Sequence, residues 1–311
     1  MRRISLKNVF LPIMLILPVL LSLLFEVLKE HKSLMDRWVS GFVAPVEQFL
    51  GRICSLLPWF SVAEIPTALF LVGSAVWLIR AIVLLARIHN GKDFFRRLLA
   101  YAAVLLWLWT AVNWMWNVVY YAPSFQEKSG LETPPYSVEQ LAQVTELFAQ
   151  QAAQFSTQVQ RDENGLFAEP LDEIFARGPA VYHAIAQEFS WLELEPSPQA
   201  KPLFFSRLQS ILGFTGVYFP FTGEANVNIA APACLIPATI AHEMAHQRMV
   251  APEQEANFVG ITAAVTSGDP IFQYSGYLMG LIQLCNALYP VDAGAWNTIV
   301  QQCFTQELAN D

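Results

Sequence analysis

Two of the chain's five histidines lie four residues apart in the run Ile236-Pro237-Ala238-Thr239-Ile240-Ala241-His242-Glu243-Met244-Ala245-His246-Gln247. Pro237 suits the first turn of a helix, and the residues after it are good helix formers, so the run is expected to be helical. On a helix the two imidazoles project from one face, one turn apart, and can reach a single divalent cation at about 2.0–2.1 Å. Glu243 is rotated by about 100° from His242. A carboxylate there stands beside the cation rather than on it, as a general base toward a coordinated water. The cation this donor set suits is Zn2+, which lowers the pKa of such a water toward ~7.

A catalytic zinc takes three protein donors and keeps one position open. The residue six beyond His246 is Pro252, so a third histidine of the HExxHxxGxxH kind is absent. The next segment, Pro252-Glu253-Gln254-Glu255-Ala256-Asn257-Phe258, reads as the end of one helix and the start of another. Both carboxylates then fall in a first turn, where the helix dipole favours the ionised form. They are about 200° apart around the axis, so only one completes the set. Glu253 is preferred and Glu255 is the alternative. Asn257, one turn beyond Glu253, could accept the second ring N–H of a liganding histidine.

Other polar residues fall near this run. Glu224, Asn226 and Asn228 lie on a candidate strand that could offer backbone groups to an extended peptide, or simply form a hairpin with an acidic turn. Tyr274 and Tyr277 could give a phenol to an oxyanion, or pack in an aromatic core. Cys54, Cys234, Cys285 and Cys303 make no CxxC pair, which excludes a cysteine-zinc module; Cys285 and Cys303 could pair outside the cytoplasm or be buried as small hydrophobes.

These residues need elements to hold them, and the composition divides the chain in two. Of its 311 residues, 54% are hydrophobic and only 14% charged, too few charges for a wholly water-soluble chain. Residues 1–120 hold 12 basic and 6 acidic side chains; the remainder hold 6 basic and 20 acidic. An acidic second half repels phosphates and argues against nucleic acid, whereas the basic first half suits an anionic lipid surface. Three apolar stretches, about 8–28, 65–87 and 98–121, are long enough to span a bilayer. The first has basic residues before it but no cleavage pattern after it, so it is expected to remain as an anchor. Arg2, Arg3 and Lys7 before the first, with Arg87, Lys92, Arg96 and Arg97 between the second and third, place those ends in the cytoplasm. Residues 122–311 should then face outward from the cell (inner) membrane. Between the first two spans, Trp38 to Trp59 is apolar and weakly amphipathic, suited to a membrane surface.

In residues 122–311, Ser137-Val138-Glu139-Gln140 is a capping box opening a helix to about Gln160. Asp162-Glu163-Asn164-Gly165 is a turn, and a second helical region covers about 180–189. Val217-Tyr218-Phe219 and Ala225 to Ile229 flank Thr222-Gly223-Glu224 as a small β-hairpin. His183 stands alone and reads as structural. The expected fold is mainly α: three transmembrane helices (residues 1–121) followed by a helical domain with one hairpin.

Glu253-x-x-Ala256-Asn257 after HExxH resembles the ExxAD helix of HtpX-like membrane metallopeptidases and the ExxAN run of ImmA/IrrE-like peptidases, in which the first Glu completes the zinc site. More of the chain resembles a bacterial membrane family, domain of unknown function 3810. The likeness rests on Leu57 to Glu64, on Tyr218 to Asn228, and on the runs His242–Gln247 and Glu253–Phe258. That family combines three N-terminal spans with a zincin-like domain and implies no particular reaction. His246 and Glu253 are closer in sequence than in HtpX-like enzymes, so their two helices must meet at a tight corner. The residues thus lead us to expect a membrane-anchored zinc metallopeptidase acting on extracytoplasmic or membrane-proximal polypeptides. The rivals are a metal-binding membrane scaffold or sensor without hydrolytic activity, and a metal-dependent hydrolase of a non-peptide bond.

Overall fold

Residues 6–57, 59–88 and 91–311 are described by a computed structural model. Arg2, Arg3 and Pro58 lie outside them, as does the side chain of Lys7. The first part of the chain forms α1 (Leu6–Leu28), α2 (Lys32–Trp38), α3 (Ala44–Cys54), α4 (Glu64–Ile88) and α5 (Gly91–Met115). Three of these are long and apolar enough to cross a membrane, over Phe10–Leu28, Glu64–Arg87 and Gly91–Met115. The third starts at Gly91 rather than Leu98. Asp93 suits a helix's first turn and Lys92, Arg96 and Arg97 are good helix formers, so charge marks the edge of the apolar stretch without ending the helix. It stops at Met115, and Tyr120 and Tyr121 lie in a separate 3-10 turn, Asn117–Tyr121.

The chain divides into two compact units: Met1–Pro45 with Ala63–Pro123, and Val46–Val62 with Ser124–Asp311. In the first, α1 and α5 run parallel. Thr110 Oγ1 donates to the Pro18 carbonyl at 3.1 Å and the Trp114 indole to Leu21 at 3.1 Å, while Phe25 meets the Trp114 ring edge-on. Between apolar helices such hydroxyl and indole bonds hold the pair in register. Trp77 of α4 stacks on Tyr101 of α5.

The second unit contains α6 (Phe125–Ser129), α7 (Val138–Ser156), α8 (Leu171–Arg177), α9 (His183–Glu188), α10 (Ser206–Ile211), α11 (Ile236–Gln247), α12 (Glu253–Thr266), α13 (Pro270–Leu288), α14 (Ala293–Cys303) and α15 (Gln306–Asn310). Its sheet has the order β1 (Lys201–Pro202), β3 (Glu224–Val227), β2 (Gly216–Phe219), with β1–β3 parallel and β2–β3 antiparallel. The hairpin falls where its turn residues put it; the two-residue β1 carries no strand signal of its own. The capping box at Ser137 forms, but α7 ends at Ser156 rather than near Gln160, because the Arg161 guanidinium takes the Ser156 carbonyl at 3.1 Å. The expected helix over about 180–189 is a 3-10 turn, Gly178–Ala180, followed by the short α9. All four cysteines are free thiols, so Cys285 and Cys303 form no bridge. The core packs around α11, whose Ile240, Ala241, Met244 and Ala245 are fully buried, and around Phe272 and Tyr274 of α13.

Val46–Val62 is stitched into this unit by polar groups. Lys201 and Glu224, both buried, form a 2.6 Å ion pair; Lys201 also donates to the Cys54 carbonyl, and Glu224 accepts from the Val62 amide at 3.0 Å. Glu47, wholly buried on α3, accepts from Tyr218 Oη at 2.6 Å, and its other oxygen has no partner among the described residues. Gly223, in the left-handed region at φ 64°, lies against the Glu47 backbone, where any side chain would collide.

Burial pushes the Glu47 carboxyl up to about 8, against a smaller downward pull from Tyr218. The folded chain thus keeps a proton that the unfolded chain releases above about pH 4.5, so this group's contribution to stability is lost as pH rises from there through about 8. Glu47→Gln should remove that loss. Thermal unfolding in detergent should show the variant gaining on the wild type between about pH 5.5 and 8.5. A constant difference across that range would refute the assignment.

Candidate metal centre

Helix α11 is buried over almost its whole length; of its three motif residues, the His242 side chain is the most exposed, at 13%. Its first turn has Pro237, and the Ala238 amide is satisfied by Ser275 Oγ at 2.9 Å. At its other end the Met249 amide donates to the His246 carbonyl and the Val250 amide to the Ala245 carbonyl, with Met249 at φ 61°. This is a Schellman turn, and it sends the chain back toward α12 with no residues to spare. It also turns the Val250 carbonyl onto His246 Nδ1, at 2.7 Å. With Nδ1–H donating there, the lone pair of His246 rests on Nε2.

Helix α12 begins at Glu253. Its carboxylate lies 3.3 Å from His242 Nε2 and 3.7 Å from His246 Nε2. The donor atoms of the three residues all fall within 4.8 Å of one another. Donors about 2.0–2.1 Å from a shared tetrahedral ion stand roughly 3.3 Å apart, so the set fits a zinc-sized cation with small adjustments. The helices meet closely because of Gly260: a Cβ there would lie 2.8 Å from His242 Cα. Glu255 points elsewhere and accepts from the Phe125 and Gln126 amides at 2.7 and 3.2 Å, closing the start of α6.

Electrostatics follow the burial. Burial pulls His242 down, but the hydrogen bond it donates to Glu253 and the nearby Glu243 outweigh it, and its pKa stands above normal. Burial and the neighbouring His242 hold His246 down at about 4. The hydrogen bond with His242 keeps Glu253 below the usual carboxylate range. Glu243 is buried, and desolvation pushes its carboxyl up to about 8. A cation on the adjacent histidines would draw it back down. Asn257 lies near enough to His242 to raise its pKa, but His242 Nδ1 is a buried atom with no hydrogen-bond partner among the described residues. The expected bond from that nitrogen to Asn257 is therefore not made.

The remaining candidates are engaged away from the donor set. Glu224 is held by Lys201 and Val62; Asn226 bonds the Val217 and Glu224 carbonyls; Asn228 bonds Ser210 and Phe214. Tyr274 is buried and donates to Asp311 at 2.5 Å, and Tyr277 stacks on Phe155. Sequence reading did not single out Gly216 and Arg248. A Cβ on Gly216 would lie 2.7 Å from Glu243 Cγ, so only glycine lets β2 lie against the general-base candidate. Arg248, buried after the motif, bonds the Leu192 and Met244 carbonyls and lies 3.8 Å over the Tyr182 ring, whose hydroxyl holds the Ala241 carbonyl. Only its place next to the motif could have hinted at it.

A family model described as protein of unknown function (DUF3810) matches residues 38–310. No curated protein and no solved structure matches the chain.

Zinc titration of the purified protein should separate the two carboxylates. Glu253→Gln is expected to weaken Zn2+ binding by more than about 10-fold. Glu255→Gln should leave affinity unchanged and lower the unfolding temperature, since it uncaps α6. The reverse pattern would make Glu255 the ligand. Gly260→Ala, which contacts no metal, should weaken binding by prising α12 from His242. Because the cation must displace the proton that His242 holds tightly, apparent affinity should fall as pH drops through the histidine range.

Proposed function

The chain belongs to the DUF3810 family, whose model spans all but its N-terminal 37 residues and its last one, and we propose that this member is a membrane-anchored, zinc-dependent peptidase. The observation that carries the reading is the convergence of His242, His246 and Glu253 on one point with the buried Glu243 carboxyl beside them. A cation held by those three residues would supply Lewis-acid polarisation of a peptide carbonyl and a water of lowered pKa. Glu243 would accept the proton of the attacking water and return it to the leaving nitrogen. Its burial suits that role: desolvation raises this carboxyl and a cation on the adjacent histidines would lower it again, and the two opposing effects favour a group that takes and gives a proton near neutrality.

The substrate would lie along β2. This strand has β3 on one side only. The Asn228 amide donates to the Thr215 carbonyl, so ladder alternation turns the peptide groups of Gly216 and Tyr218 away from β3. An extended polypeptide adding to that edge would pass next to Glu243. Glu253, with 68% of its side chain exposed, leaves the donor set open to solvent. A purely structural metal site has no use for an unshared carboxyl beside its ligands, which favours the hydrolase over a scaffold.

The basic residues flanking the apolar helices support a multi-pass arrangement in a cell membrane, with the N-terminus cytoplasmic and Ser124–Asp311 outside. The parallel course of α1 and α5 suits three crossings, since the first and third of three must run the same way.

The test is cleavage of an unstructured polypeptide, such as labelled casein, by the zinc-loaded protein. Glu243→Gln should keep full zinc content and lose about 10²–10⁴ of the rate. Gly216→Ala should likewise keep the metal but lose rate, by displacing Glu243. A Glu243→Gln variant as active as wild type would sink the peptidase reading. A wild type that binds zinc through a fourth protein ligand would favour the scaffold.

A further inference from the structure

The first unit carries a cavity of about 430 Å³ between the ends of α1 and α5, remote in sequence from the metal residues. Its lining includes Glu26, Trp109, Asn113, Asn117, Tyr120 and Tyr121. Asn113 interrupts an apolar helix and is only 4% exposed. Its Oδ1 accepts from Asn117 at 2.8 Å, but among the described residues its Nδ2 has no partner, and Asn113 faces the cavity. That amide N–H is thus left open toward the cavity, where a ligand or water can accept from it. Lys29 stands at the rim, paired with Glu26 at 2.6 Å and over the Tyr121 ring at 5.3 Å. Among the described residues, Glu26 is the charged residue that lines the cavity, and with Lys29 it makes a pair of zero net charge. Trp109 and Tyr120 add exposed aromatic faces, which attract cations.

We infer that this cavity binds the headgroup of a zwitterionic phospholipid: phosphate toward Lys29 and the Asn113 amide, ammonium toward Glu26 and the aromatic rings. A headgroup carrying both charges can lie antiparallel to the Lys29–Glu26 pair and satisfy each end. An anionic headgroup would bring a second negative charge to Glu26 with nothing to offset it. The position, at the ends of two apolar helices where Trp and Tyr meet the headgroup layer, makes a bilayer lipid the source. This rests on the reading that α1 and α5 lie in a membrane.

Native mass spectrometry of the full-length protein in detergent, given equimolar phosphatidylethanolamine and phosphatidylglycerol, tests it. Wild type should retain phosphatidylethanolamine at least about threefold over phosphatidylglycerol. Glu26→Gln leaves Lys29 charged and unopposed, so it should reverse the preference. Asn113→Leu should weaken retention of both lipids. Glu26 is exposed, and its substitution should leave the unfolding temperature unchanged, so the charge reversal decides even if Asn113→Leu folds poorly. Equal retention of both lipids by wild type, or a Glu26→Gln variant with wild-type preference, would overturn the headgroup site while leaving the membrane reading intact. Retention of neither lipid would likewise overturn the headgroup site.

Discussion

The six residues between His246 and Glu253 leave the chain no slack, and the candidate centre depends on how that corner is made. A helix must stop within one residue of its second histidine, reverse, and start another whose first side chain meets the first helix's imidazoles. The Schellman turn at Met249 does this, and the carbonyl it redirects, that of Val250, fixes the tautomer of His246. A non-glycine residue in the left-handed region costs about 1 kcal/mol. The turn keeps Met249 there because burial of Val250 and Ala245 on either side outweighs that strain. Gly260 then allows the two helices to close to backbone contact. One short turn and one missing side chain together decide whether three donors share a point.

The sheet plays a second part, and it is built from distant segments. β2 presents Gly216 to Glu243 and Tyr218 to His246, whose rings are 6.3 Å apart. Tyr218 is in turn held by Glu47, from the loop between the first two apolar helices, while Lys201 and Glu224 bind that loop through Cys54 and Val62. Charges buried this deeply add little net stability, but removing one partner strands the other, so they specify a single arrangement. A fragment beginning at Ser124 would lack Glu47 and the Cys54 carbonyl, and would leave Lys201 and Tyr218 without those partners.

What could be read in the sequence was what is local. The His242–His246 spacing, the capping box at Ser137, the hairpin at Thr222-Gly223-Glu224 and the three apolar stretches each depend on residues within a turn or two. That Glu253 and Glu255 would not share one ion was local too, since a helix start sets them about 200° apart; which of them meets the histidines depends on how α12 packs against α11. The roles of Glu224, Asn226, Asn228, Tyr274 and Tyr277 could not be read this way. Polar residues near a motif look like ligand contacts, but whether they face the site or pair inside the fold depends on Lys201, Ser210 and Asp311, which reach them only through tertiary packing. Glu47 was illegible for the same reason: in sequence it is one acidic residue in an amphipathic loop, and only packing against Tyr218 makes it structural.

Buried polar atoms without partners show where this economy breaks down. Among the described residues they are Glu47 Oε1, Ser61 Oγ, Trp107 Nε1, Asn226 Oδ1, His242 Nδ1, Glu243 Oε2 and Gln247 Oε1. Three of the seven lie on α11 within six consecutive residues, and two more lie on side chains that bond β2. Each such group costs about 1–3 kcal/mol. A fold selected only for stability would have placed apolar side chains at these positions, as it did at Ile240, Ala241, Met244 and Ala245 on the same helix. The unsatisfied groups concentrate instead on the motif helix and on side chains that bond the strand against it. On the proposed reading, the partner that the Glu243 carboxyl lacks would be a water held by the cation, so that part of the stability given up there would serve chemistry.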